Sequence, residues 1–161
     1  MFKGTIRELK KEDVEKVQEI FELYWTDEGF LEKLKNRLKQ FVENSPEVSK
    51  QEFKYFVAEE SGEIVGIAAM RKPPEKMMKY TTTDNPVEFY VLASKYKGRG
   101  IGTALRTTRI EEARKAGYTE IIFFSPDSHK ESWSFHDNSD FKRVGLTEVD
   151  SEPGCVWRIT L

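Results

Sequence analysis

The stretch Val87–Gly102, which reads VEFYVLASKYKGRGIG, decides how this sequence folds. It begins as an apolar run rich in β-branched and aromatic residues, which favours a strand. A glycine-rich turn follows at 98–102, and beyond it the apolar residues recur at helical spacing. A strand that leads through glycines into a helix is suited to binding phosphate, because the first N–H groups of a helix lack partners and attract an anion.

The spacing of the glycines excludes two common phosphate-binding motifs. A dinucleotide fingerprint needs a third glycine three residues after the second, and Thr103 occupies that position. A Walker loop needs a Gly-Lys-Ser/Thr ending, which the segment lacks. A turn that only caps a helix is the remaining alternative, and it leaves the clustering of Lys97 and Arg99 among three glycines unexplained.

The segment Lys97–Gly102 resembles the pyrophosphate-binding motif of the GCN5-related N-acetyltransferases (GNAT family), usually written Gln/Arg-x-x-Gly-x-Gly/Ala, with Lys in the first place. The stretch FVAEESGEIVG at 56–66 likewise resembles the second and third strands of that fold, whereas the first fifty residues resemble it weakly. The resemblance implies an α/β (α+β) fold with a mixed, twisted central sheet of six to seven strands flanked by about four helices. It also implies that residues 1–161 form a single N-acetyltransferase domain.

The same resemblance implies an acyltransferase that takes an acetyl group from acetyl-CoA and needs no metal. The strands at Glu88–Leu92 and Thr119–Phe124 would diverge, and the pantetheine arm would pair with main-chain groups in the gap. Those N–H groups could also stabilise the oxyanion formed when an amine attacks the thioester. The residues expected to contact the cofactor are Leu92, Ala93, Lys97, Gly98, Arg99, Gly100, Ile101, Gly102, Thr103, His129 and Ser132.

Glu88 is the candidate general base. The acceptor amine must lose a proton, since an alkylammonium is not a nucleophile, and a partly buried carboxylate can take that proton through water. Glu88 stands in an otherwise apolar strand, where many members of the family place an acidic residue. The alternative is a glutamate at a sheet edge that faces solvent.

His136 is the candidate acid for the departing thiolate. The family commonly has a Tyr in a helix that ends Tyr-x-x-x-Gly-Phe, and the matching text here has His136 for the Tyr and Asp140 for the glycine. Imidazole titrates near neutrality and can serve as acid or base, although a Tyr role does not transfer unchanged. A partly buried structural histidine is the alternative, and Tyr90 and Tyr96 are the fallback acids.

Composition and charge argue against several other classes of function. A net charge of −2 with 34% charged residues argues against nucleic-acid binding. A single cysteine, Cys155, and the lack of a long apolar stretch predict a cytoplasmic protein with no membrane association. His129 and His136 would lie on one helical face about 10 Å apart, too far for one metal ion, so we expect no metal site.

The rest of the chain predicts alternating strands and helices. Before the predicted helix at Val14–Tyr24, Lys10 and Lys11 stand where a capping side chain would help. The predicted elements are a strand at Thr5–Leu9, helices at Val14–Tyr24 and Phe30–Val42 with Ser45-Pro46 ending the second, a hairpin at Phe53–Glu60 and Ile64–Met70, a long loop at Arg71–Asn85, a helix at Lys130–Asn138, and strands at Phe141–Thr147 and Val156–Leu161.

These observations favour an N-acetyltransferase acting on a primary amine of a small molecule, with an amino-acid-like amine preferred. A non-catalytic sensor of CoA or acyl-CoA on the same scaffold is an alternative, as is acetylation of a protein N-terminus or lysine. A structural or interaction module built on the apolar helices of residues 14–42 is a third class. The sequence does not identify the acceptor, and it leaves a homodimer open.

Overall fold

Seven strands, five α-helices and three short 3₁₀ segments make up the structure, a computed structural model that describes residues 1–161. The strands are β1 Thr5–Glu8, β2 Lys54–Glu60, β3 Glu63–Arg71, β4 Pro86–Ser94, β5 Glu120–Pro126, β6 Lys142–Val149 and β7 Glu152–Thr160. The helices are α1 Val14–Tyr24, α2 Glu28–Val42, α3 Pro46–Lys50, α4 Ile101–Lys115 and α5 Trp133–Asp137, and the 3₁₀ segments are Lys11–Asp13, Glu75–Tyr80 and Asp127–Ser132. None of these helices has the length and apolar character needed to cross a bilayer.

The strands form one mixed sheet in the order β1-β2-β3-β4-β5-β7-β6. The β4–β5 pair is parallel, and the β1–β2, β2–β3, β5–β7 and β6–β7 pairs are antiparallel. The mixed sheet with flanking helices confirms the predicted fold class. The chain divides into two compact units, the first comprising residues 1–71 and 91–109 and the second comprising residues 72–90 and 110–161.

The first unit is built on the β2–β3 hairpin. Ser61 and Gly62 both have positive φ (52° and 80°), so their turn closes the hairpin where the sequence predicted it. Gly66 of β3 sets how closely α4 approaches, because a Cβ at Gly66 would lie 2.8 Å from Ile101 Cγ2 and 3.0 Å from Leu105 Cδ1. The missing side chain therefore lets the first turns of α4 pack directly against the strand.

One prediction for the first unit was wrong in detail, and another was confirmed. Pro46 does not simply end the second helix, which stops at Val42; it occupies the first turn of the short helix α3, where its missing N–H costs nothing. The poor capping predicted for the first helix is confirmed, because Asp13 at the N-cap of α1 makes no side-chain cap hydrogen bond. Asp13 Oδ2 instead accepts a hydrogen bond from the Lys10 N–H, at the start of the preceding 3₁₀ segment, at 2.8 Å.

An aromatic cluster forms much of the core of the second unit. Trp157, which is fully buried, stacks on Phe123 at 5.3 Å between ring centroids and meets Trp133 edge-on at 5.4 Å. Cys155 is also buried, and burial raises the pKa of its thiol, as suits a small packing residue.

Two predictions for the second unit needed correction. The stretch Arg71–Asn85 is not structureless, because it contains the 3₁₀ segment Glu75–Tyr80. The predicted helix at Lys130–Asn138 is a 3₁₀ segment followed by α5, with a non-helical backbone at His129 (φ −114°, ψ 29°). His129 and His136 therefore do not lie on one continuous helix.

Candidate functional site

The glycine-rich turn connects the end of β4 to the start of α4. Gly98 and Gly100 have φ of 74° and 81°, a region in which a side chain is strained, so the path of the loop requires glycine at both positions. The first main-chain bond of the helix runs from the Ala104 N–H to the Gly100 carbonyl at 3.0 Å. The N–H groups at 101–103 therefore have no acceptor within the helix, and a fifteen-residue helix adds a favourable dipole for an anion there.

Glu63, the first residue of β3, braces the loop from one side. Its carboxylate accepts a hydrogen bond from Lys95 Nζ at 2.6 Å and from the Tyr96 hydroxyl at 3.0 and 3.1 Å. The Arg99 guanidinium carbon lies 4.2 Å from the centroid of the Tyr96 ring. These contacts fix the two residues that precede Lys97 and connect them to the residue that follows Gly98.

The positive charges of the loop are not equally available to a ligand. The Lys95 ammonium and the Tyr96 hydroxyl hold the pKa of the Glu63 carboxyl below its usual range, and Glu63 in turn raises the pKa of Lys95. Lys95, Lys97 and Arg99 are all exposed, but Lys95 is committed to this ion pair, so Lys97 and Arg99 are the cations available to an anion. Glycines at positive φ, helix N–H groups without helix acceptors and two exposed cations together fit a pyrophosphate group.

Main-chain contacts support the loop at two more points. The Lys95 N–H donates to the Val65 carbonyl at 2.8 Å, and the Phe2 N–H donates to the Arg99 carbonyl at 2.5 Å. A Cβ at Gly100 would lie 2.8 Å from Met1 Sδ, so the start of the chain runs beside the loop.

Leu92 and Ala93 lie near the end of β4, in the same unit as the loop. Ala93 is buried and Leu92 is half-buried. The carbonyl of the preceding residue, Val91, accepts a hydrogen bond from Arg109 Nη1 at 3.3 Å. The sequence reading passed over Arg109, although a cation within an apolar helical stripe is a visible signal.

Glu88 is buried in β4, with only 5% of its surface exposed, so it is not the solvent-facing edge residue of the alternative reading. It pairs with Ile122 in the last of three registered pairs between β4 and β5, and beyond Ile122 strand β5 continues to Pro126 in register with β7 alone. The carboxylate thus lies where the registered β4–β5 pairing ends.

His136 is half-buried among aromatic rings of the second unit. Its ring centroid lies 4.6 Å from that of Phe123, 5.0 Å from that of Trp157 and 5.6 Å from that of Phe135. The next residue, Asp137, accepts two hydrogen bonds from Arg143 and one from Trp157 Nε1, and Arg143 above all holds the pKa of that carboxyl below its usual range. The imidazole is therefore held by ring packing beside an anchored helix end.

His129 and Ser132 lie in the 3₁₀ segment before α5, and the Ser132 hydroxyl donates to the His129 carbonyl at 2.8 Å. The structure thus brings together the candidates from Leu92 to Thr103 in the first unit, whereas Glu88, His129, Ser132 and His136 belong to the second. No group of three or more His, Cys, Asp or Glu side chains is arranged to hold a metal ion.

Glu120 is a further residue that the sequence reading missed. It is fully buried at the start of β5 and accepts hydrogen bonds from the Thr82 and Thr83 N–H groups at 2.7 and 2.9 Å. Burial acts to raise the pKa of Glu120, but these hydrogen bonds outweigh it and lower the pKa. The carboxylate therefore anchors the segment that leads into β4.

Comparison with known proteins gives a family match and many structural matches. A sequence model described as the acetyltransferase (GNAT) family matches residues 15–141, a range that includes the glycine-rich loop, Glu88 and His136.

Three solved structures illustrate the likeness of fold. A protein assigned to the GNAT acetyltransferases from Desulfovibrio desulfuricans is 13% identical, with a TM-score of 0.80 and 98% of each chain covered. The PaiA N-acetyltransferase from Thermoplasma acidophilum, in complex with coenzyme A, is 17% identical, with a TM-score of 0.69, 99% of this chain covered and 100% of the other. An aminoglycoside acetyltransferase in complex with coenzyme A and kanamycin is 20% identical, with a TM-score of 0.73, 98% of this chain covered and 94% of the other.

At these identities the structures establish the fold, whereas the sequence match spans most of the chain. The chain belongs to the acetyltransferase (GNAT) family, and this membership supports acyltransferase activity.

Proposed function

We propose that residues 1–161 act as one N-acetyltransferase domain that moves an acetyl group from acetyl-CoA to the primary amine of a small, amino-acid-like molecule. The observation that carries the proposal is the loop between β4 and α4. Its positive-φ glycines, the helix N–H groups at 101–103 and the exposed cations Lys97 and Arg99 suit the two phosphates of a pyrophosphate.

When bound, acetyl-CoA supplies an acetyl group activated as a thioester. The loop residues Lys97, Gly98, Arg99, Gly100, Ile101, Gly102 and Thr103 would bind the pyrophosphate, and His129 and Ser132 would contact the rest of the carrier. The N–H groups of Leu92 and Ala93 would pair with the pantetheine arm and face the oxygen on which negative charge develops.

Glu88 and His136 would move the protons. Glu88 would accept a proton from the acceptor ammonium through water, and its burial supports this role, since burial disfavours the charged form of a carboxyl group. His136 would give a proton to the sulfur as the carbon–sulfur bond breaks. Two protons leave the nitrogen in all: Glu88 would pass the first to solvent, and the second, lost as the nitrogen–carbon bond forms, would replace the proton that His136 gives to the sulfur. The products are the amide, the CoA thiol and one released proton, so the transfer balances without a redox partner.

A CoA or acyl-CoA sensor is the second candidate function. The packing of His136 against three aromatic rings favours it, because a ring held for packing need not exchange protons. The two functions make the same prediction for cofactor binding and opposite predictions for turnover.

The test is titration calorimetry with acetyl-CoA, followed by detection of free thiol across a panel of amines. The panel contains amino acids, amino-acid amides, an aminoglycoside, and peptides with a free N-terminus or an internal lysine. We expect saturable binding and thiol release with small amines. Lack of binding at millimolar acetyl-CoA would remove the proposal, and tight binding with no thiol release from any amine would favour the sensor.

A further inference from the structure

Arg109 is a charged residue at the centre of the buried face of α4. Ile101, Leu105, Arg109 and Ala113 recur at four-residue intervals, and all four are buried, with Arg109 only 2% exposed. A buried charge is costly unless it is hydrogen-bonded, and an apolar side chain would continue the stripe at lower cost. The arginine therefore needs an explanation beyond helix packing.

The guanidinium makes two hydrogen bonds to the main chain of neighbouring strands. Nη1 donates to the Ala69 carbonyl of β3 at 3.0 Å and to the Val91 carbonyl of β4 at 3.3 Å. All three residues belong to the first unit. Burial, with a smaller effect of Arg106, lowers the pKa of Arg109 to about 9, so the group remains a cation at neutral pH.

The Val91 carbonyl and the Leu92 N–H belong to the same peptide unit. That unit is planar, and no peptide bond in the chain is cis, so the carbonyl and the N–H point in opposite directions. A donor that holds the carbonyl from one side consequently fixes the direction of the Leu92 N–H on the other. A cationic donor on the carbonyl also polarises the unit and strengthens its N–H as a hydrogen-bond donor.

We propose that Arg109 is a positioning residue that orients the Leu92 N–H toward the pantetheine arm and the developing oxyanion of the transfer. The inference rests on the proposed function, which assigns that N–H to the cofactor. Arg109 itself touches neither cofactor nor acceptor; it acts through one peptide unit.

The experiment compares two ligands in the full-length Arg109→Leu and Arg109→Lys variants. Coenzyme A has both the nucleotide and the pantetheine arm, whereas adenosine 3′,5′-bisphosphate lacks the arm. For Arg109→Leu we expect CoA affinity and kcat each to fall about tenfold, the effect of one lost charge-assisted hydrogen bond, while bisphosphate affinity stays within about twofold. Arg109→Lys, which keeps a cation, should lose less. The exposed Arg114→Leu, on the same helix, is the matched control and should change neither ligand.

An NMR spectrum of the backbone amides gives a readout that does not depend on turnover. In Arg109→Lys the Leu92 N–H resonance should move more than those of the loop residues 97–103. The proposal is overturned if a folded Arg109 variant keeps the wild-type kcat and Leu92 resonance, or if both ligands weaken equally, since the arginine would then support only the fold. If Arg109→Leu does not fold, Arg109→Lys decides by the same criteria. Failure of wild-type protein to bind CoA would instead reject the proposed function, and the Leu92 resonance would still report whether Arg109 holds the peptide unit.

Discussion

Replacing Gly100 by valine tests most directly whether the loop between β4 and α4 binds phosphate. Gly100 has φ of 81°, which a β-branched residue adopts only under strain. A Cβ built there would lie 2.8 Å from Met1 Sδ, but Met1 is 90% exposed and can move aside. Backbone strain, and not a clash with the core, is therefore the main effect of the substitution.

The backbone strain determines how much CoA affinity or thermal stability the variant should lose. A non-glycine residue in this region costs about 1–3 kcal/mol. If the loop escapes about 2 kcal/mol of strain by leaving its binding conformation, the competent fraction falls about 30-fold and the apparent Kd for CoA rises by the same factor. Where the strain is retained, it appears as a Tm about 4–8 °C lower for a chain of this length.

Calorimetry with CoA and thermal melting separate these effects when Gly117→Val is measured beside Gly100→Val. Gly117 follows α4, has φ of 85° and has no atom within 4 Å of a built Cβ. The Gly117→Val protein should therefore lose a similar amount of stability and keep the wild-type affinity for CoA. A folded Gly100→Val protein with the wild-type Kd, or an equal loss of affinity in Gly117→Val, would refute the reasoning.

Three further predictions test the other assignments. His136→Ala and His136→Phe should both lower kcat by about ten- to a thousand-fold and remove a limb of the pH–rate profile. A wild-type kcat in His136→Phe, which keeps an aromatic ring but no titratable group, would indicate a packing role. Tyr96→Phe removes the hydroxyl that donates to Glu63, so the KM for acetyl-CoA should rise about fivefold with kcat unchanged; a large fall in kcat would make Tyr96 the acid instead. Arg7, by hydrogen bonding, lowers the pKa of Asp13, so this carboxylate stabilises the fold above its ordinary pKa and less as the pH falls through the lowered value. Asp13→Asn should therefore lower the Tm by about 4–8 °C at pH 7, with a gap that narrows below about pH 4; a gap independent of pH would contradict this.

Features that depend on local chemistry could be predicted from the sequence. The turn that closes the β2–β3 hairpin follows from Gly62, because glycine adopts positive φ without strain. The loop at 97–102 could also be predicted from a short stretch, because its three glycines and two cations lie within six residues. Such patterns carry their own structural requirement, so one sequence is enough to detect them.

Features that depend on distant partners could not be predicted. Glu63 is 32 residues from Lys95, and nothing in its own neighbourhood indicates that it braces the loop. Glu120 is likewise 38 residues from Thr82, and the two meet only in the folded chain. The prediction for Pro46 was wrong for another reason. Proline can follow the end of one helix or occupy the first turn of the next, and the surrounding chain decides which position it takes.

The buried charges have a common arrangement around β4. Arg109 donates to the Val91 carbonyl within the strand, and Glu120 accepts from the N–H groups at 82 and 83, just before the strand begins. Both use a charge to fix the main chain, which a hydrophobic residue of similar size cannot do. Glu88 lies in the sequence between residues 82–83 and Val91, and the N–H groups of Leu92 and Ala93 come directly after Val91. Under the proposed function, β4 would present a base and two N–H donors. A strand in that role needs a fixed backbone more than a well-packed one, and the buried charged residues are consistent with such a role.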